Sequence, residues 1–130
     1  MKVTLKTLPP EMMRYPTTGD WQWFENGDLL ITVTEHKKHD RSAFLVMLHE
    51  LVEAFLCKDA GIAEEDVSAF DIAHPDAPEP GDHPDAPYKR QHEIATEVEK
   101  IVASALLRDW DDHEEWVQEA GDAVEDALSS

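Results

Sequence analysis

Near the middle of the chain, His49-Glu50-Leu51-Val52-Glu53 places three ionisable side chains inside an otherwise apolar run from Phe44 to Cys57. On a helix turning about 100° per residue, with His49 at 0°, Glu53 falls at about 40° and Glu50 at about 100°, one narrow sector. Apolar side chains take nearly every other direction, which predicts a helix buried most of the way round. Carboxylates removed from water require hydrogen bonds, protonation or a cation. A histidine and a glutamate one turn apart can grip a single ion, and imidazole plus carboxylate is an ordinary zinc ligand pair. A hydrogen-bonded polar seam is the competing explanation for the same three residues.

Two protein ligands rarely hold zinc, so a third donor is required. His92 is the first candidate, because it borders the apolar stripe of a second long helix, while Glu93 and Glu97 turn toward solvent. Asp71 is the second, as a carboxylate at the end of a short helix that could bind metal or orient an imidazole. His74, His83 and Asp85 follow, all in a loop. Cys57 lies one turn beyond Glu53 and is read as small core filling.

The elements that must position these groups form an α+β chain with a small antiparallel sheet. Val3 to Leu5 suggests a short strand ended by Pro9-Pro10. Residues 19–34 predict a hairpin around Asn26-Gly27, a pair that favours a type I′ turn. Trp21, Trp23 and Phe24 are read as its core. A central helix is expected over 42–59, capped by Ser42 or Asp40 and stopped at Gly61. A short helical turn over 63–70 is followed by a proline-rich surface loop over 72–87, in which His-Pro-Asp-Ala-Pro occurs at 74 and again at 83. A helix over 89–108 carries the stripe Ile94, Val98, Ile101, Val102 and Ala105. An acidic helix over 112–128 begins at Asp112.

Composition limits what such a site can serve. The 130 residues amount to one domain's worth of chain, and 11 basic against 29 acidic side chains give a formal charge of −18. That excess repels phosphate backbones and anionic lipid, so duplex nucleic acid and membranes are not expected partners. An apolar share of 42 % is enough for a folded core. A single cysteine makes no internal disulfide, and no signal-like or membrane-spanning stretch appears, so a cytoplasmic location is expected.

The His-Glu-x-x-Glu helix resembles the His-Glu-x-x-His helix of zinc hydrolases, with Glu53 where the second histidine would stand. A hairpin leading into such a helix is similar to the minimal zincin core of small metallopeptidases. That resemblance implies Glu50 as the general base and an edge strand, here Leu29 to Thr34, that pairs with an extended substrate. Residues 19 to 107 also resemble small phage and prophage proteins of no assigned activity. They share a His-Glu-Leu-x-Glu-Ala helix (His49 to Ala54), a Gly-Ile turn (Gly61-Ile62) and an Ala-Pro-Tyr-x-x-x-His segment (Ala86 to His92). The function expected is a metal-dependent hydrolase, with zinc the expected ion and a peptide or small molecule the substrate. Rival expectations are an all-α, magnesium-dependent nucleotide pyrophosphatase using Glu50 and Glu53, an acidic DNA mimic, and a protein in which the ion only staples helices.

Overall fold

A computed structural model describes residues 1–77 and 79–130. Among them are three strands, β1 (Val3–Leu8), β2 (Gly19–Trp23) and β3 (Leu29–Thr34). Four α-helices follow: α1 (Asp40–Asp59), α2 (Glu64–Ala73), α3 (Lys89–Ala105) and α4 (Trp110–Leu128). The architecture is α+β, and none of these helices is long and apolar enough to cross a membrane.

The β-branched run of Leu29–Thr34 becomes the central strand, in the order β1-β3-β2. β2 pairs antiparallel with it, Trp21 opposite Ile31, whereas β1 pairs parallel, Leu5 opposite Ile31. The sheet is therefore mixed rather than antiparallel, and the expectation that Leu29–Thr34 is an edge is overturned, since both sides of that strand are occupied. The turn also differs. Phe24 and Asp28 bond across it and Gly27 N–H returns to the Phe24 carbonyl, with only Gly27 at positive φ (+88°), so Asn26 does not form the type I′ pair. Trp21 is core, while Phe24 is half exposed.

Helix α1 begins two residues earlier than expected, because His39 supplies the cap: its Nδ1 accepts the Ser42 N–H. Its end is as expected. Gly61 at φ +73° lets Ile62 N–H reach the Cys57 carbonyl and Gly61 N–H reach Lys58, a Schellman closure. α1 is not buried all round. Its inner face carries Ser42, Leu45, Val46, His49, Glu53 and Cys57, and Phe44 and Phe55 look outward.

On α3 the buried residues are His92, Ala95, Glu99 and Ala103, and Ile101 is 69 % exposed, so the expected apolar stripe is not the packed face. α3 meets α1 through its small and polar side, with alanines permitting close approach, because the two helices share a polar cluster. α4 starts at Trp110 under an Asp109 cap rather than at Asp112, and Trp116, Ala120 and Val124 pack inward. The proline-rich stretch is less superficial than expected. α2 runs on to Ala73, a tight turn spans Pro80–Asp82, and Gly81, Ala86 and Tyr88 are buried. The part of that stretch at Pro78 lies outside the described residues.

Candidate metal centre

α1 presents His49 and Glu53 one turn apart, and α3 brings His92 across from them; all three are buried. Their donor atoms form a triangle. His49 Nε2 lies 3.1 Å from Glu53 Oε2, His92 Nδ1 lies 3.0 Å from the same oxygen, and the two nitrogens are 3.2 Å apart. A tetrahedral ion with bonds of about 2.0–2.1 Å has ligand–ligand edges of about 3.3–3.4 Å, so small adjustments would seat one on this face. Two imidazoles and one carboxylate are also the donor types of zinc and its first-row neighbours, not of calcium. The residues present fit a metal ion.

The surrounding hydrogen bonds orient these donors. His49 Nδ1 is 2.8 Å from Glu99 Oε1, which holds the ring with Nε2 turned to the triangle. The other oxygen of Glu99 is 2.5 Å from His113 Nε2; His113 Nδ1 meets Ser42 Oγ at 2.8 Å, and Arg108 Nε donates to the same hydroxyl. Trp21 Nε1 donates to Glu53 Oε1 at 3.1 Å, leaving Oε2 for the triangle. Glu99 and His113 escaped the sequence reading. A signal for Glu99 was present: it follows His92 by seven residues, about 20° away on the wheel and so on the same face. His113 had none, since its partner lies on another helix.

Burial opposes charging of the imidazoles, yet hydrogen bonds donated to Glu53 and Glu99 raise His49 well above its ordinary range. His92 is raised through Glu53 against the same burial penalty. Burial would raise Glu53 as well, but the two imidazoles overcome it and bring it down to about 2. Glu99, also against its burial, is lowered by His113 and His49. These directions describe a cluster without a cation, in which protons on the rings do the neutralising. Neutral rings would aim three lone-pair-bearing atoms at one point, an arrangement that a cation relieves.

Glu50 points elsewhere, into a cavity of about 330 Å³ that it shares with the triangle, Asp71 and the inner end of β2. It stands against Gly19, where an added Cβ would come within 2.9 Å of its Cγ and Oε1. Burial and the neighbouring Glu53 push Glu50 well above the usual carboxylate range. A carboxylate so placed, beside the triangle and with raised basicity, suits proton transfer. Asp71 is not brought to the triangle. Its oxygens accept from Tyr15 OH at 3.1 Å and from Tyr88 OH, and burial raises it to about 6 despite those bonds.

The loop residues go to other uses. His74 stacks on Phe70 with ring centroids 4.0 Å apart, and His83 Nδ1 accepts the Asp85 N–H. Cys57 is fully buried among core residues, its thiol pushed up to about 12 by burial. Glu93 and Glu97 are exposed, so α3 offers no second carboxylate pair to Glu50 and Glu53, and the sheet does not belong to an all-α nucleotide pyrophosphatase. A scan against family models, a search of curated proteins and a search of solved structures each returned no match.

Proposed function

We propose that this chain is a metal-dependent hydrolase of zincin-like type, in which His49, Glu53 and His92 hold zinc and Glu50 is the general base. The observation that carries the proposal is the buried triangle of donor atoms with edges of 3.0–3.2 Å, flanked by a carboxylate of raised basicity facing the same cavity. Zinc bound there would supply Lewis acidity, polarising a carbonyl and lowering the pKa of a water. Glu50 would take the proton from the attacking water and return it to the leaving group. Glu99 and Trp21 hold His49 and Glu53 in register, and Gly19 leaves room for Glu50.

Peptide is the favoured substrate, and β2 supports this. Phe24 bonds across to Asp28, and the Thr18 carbonyl accepts from Thr34, so by alternation the peptide groups of Gly19, Trp21 and Trp23 turn away from β3; the Trp23 N–H already donates to Glu64 Oε1 and the Gly19 carbonyl accepts from Thr17 Oγ1, so the edge on offer centres on Trp21. An extended substrate adding to that side would run beside Glu50, which moves the expected strand-addition edge from Leu29–Thr34 to Gly19–Trp23.

Elemental analysis of protein purified without added metal tests the proposal first. Stoichiometric zinc should disappear in His49→Ala and Glu53→Ala, and zinc retained in both would end it. Glu50→Gln should keep the ion and lose cleavage of a mixed fluorogenic peptide library. An unchanged rate in that variant would remove Glu50 as base.

A further inference from the structure

His92 is used only half by the triangle. Its Nδ1 faces His49 and Glu53, but Nε2 is buried with no hydrogen-bond partner, on a side chain only 7 % exposed. That nitrogen looks toward the turn Pro80–Asp82: Asp82 Oδ1 lies 3.3 Å away, and Glu79, Asp82 and His92 offer a second set of donor atoms within 4.8 Å of one another. The turn is pressed onto the ring. A Cβ at Gly81 would sit 2.3 Å from His92 Cγ, so only glycine allows the backbone to lie there and bring Asp82 to the far nitrogen, with Glu79 in the same donor group.

We propose that Glu79, Asp82 and His92 Nε2 form a second divalent-cation site that shares the His92 ring with the inner triangle. The inference rests on the inner triangle being a metal centre. With an ion on Nδ1, Nε2 of a neutral ring carries a proton; the second cation takes that position and the proton leaves to solvent, making His92 a bridging imidazolate. Charge favours the arrangement. Glu53, Glu79 and Asp82 are the carboxylates grouped with the His92 ring, and one divalent ion offsets two of their charges. Asp82 is 61 % exposed at its side chain, so the outer ion exchanges with solvent and binds more weakly than the inner one.

The test is titration of chelator-stripped protein with zinc, read as bound equivalents by elemental analysis after desalting and by equilibrium competition against a chromophoric chelator. Wild type should take up a tight and a weaker equivalent. The double variant Glu79→Gln/Asp82→Asn should lose only the weaker one, with inner affinity unchanged. In protein loaded with two equivalents of copper(II), the shared ring should couple the ions and reduce the EPR intensity relative to one equivalent. A second equivalent that survives in the double variant, or two uncoupled coppers, would overturn the proposal. So would a single equivalent in wild type together with an inner affinity about 10–100-fold lower in the double variant, the behaviour of a carboxylate that merely orients a ligand. Wild type that binds no ion at all would overturn both this site and the metallohydrolase.

Discussion

Glu99 shows how one residue outside the ligand set can govern the site. It bridges His49 Nδ1 and His113 Nε2, so its charge fixes the ring that faces the ion. Glu99→Gln keeps the shape but weakens the acceptor, and zinc affinity should fall about 10–100-fold as measured by chelator competition. Ser42→Ala, at the far end of the same chain of bonds, should change it far less. Equal losses in the two variants would mean that the network acts only as packing. Gly19 offers a second residue-scale check. Its Cβ would collide with Val46 and Glu50, so Gly19→Ala should lower the hydrolysis rate while zinc stoichiometry stays the same. A fall in bound zinc instead would show that β2 supports the ligands rather than the base.

The helices make predictions of their own. α3 ends with Leu107 at φ +55°, 90 % exposed, closing a Schellman-like pair of bonds from Arg108 to Ala103 and from Leu107 to Ser104. A left-handed conformation costs a non-glycine residue roughly 1–2 kcal/mol, and nothing is packed on that side chain, so Leu107→Gly should stabilise the chain by about 1 kcal/mol in urea unfolding. Destabilisation would mean that the leucine has a contact in solution. On the same helix, Ile101→Gln should change stability by less than about 0.5 kcal/mol. Ala103→Leu, forced against α1, should cost about 1–3 kcal/mol. The reverse ranking would restore the stripe of Ile94, Val98 and Ile101 as the packed face. That stripe also marks where the sequence was legible and where it was not. Strands, helix order and the sector of His49 and Glu53 follow from local periodicity, whereas His92 is singled out for bordering an apolar stripe that is not the packed face, and is itself buried on the other side with Ala95 and Glu99. Hydrophobic periodicity misassigned the packing of α3 because its inner face is made of His92, Glu99 and alanines. A buried face that carries polar chemistry reads as a solvent face until a partner helix is known. The order β1-β3-β2 was hidden for a related reason: a parallel pairing between β1 and β3 leaves no turn signature in the intervening residues.

For the molecule as a whole, pH should act in opposite directions on the metal-free and metal-loaded forms. Without metal, His49 is held above its unfolded value of 6.5, so its contribution is complete below that value and is lost as pH rises through the folded one. Asp71, raised from 3.8 to about 6, has the same sign: its contribution is present below 3.8 and gone once pH passes about 6. Glu53 opposes them, but only in strong acid, since its contribution is present above 4.5 and is lost toward about 2. The stripped protein should therefore lose stability as pH rises from 3.8 to about 6 through Asp71, and further above 6.5 through His49. Zinc needs both rings deprotonated, so its binding strengthens over that interval, and each hundredfold excess over Kd adds about 2.7 kcal/mol. The difference in Tm between zinc-loaded and chelator-treated protein should accordingly widen steadily as pH rises. In His49→Ala the widening should vanish, because the titrating ring and the ligand are lost together. A gap that stays constant across that range in wild type would mean that the triangle binds no ion and that its buried charges are satisfied by protons alone.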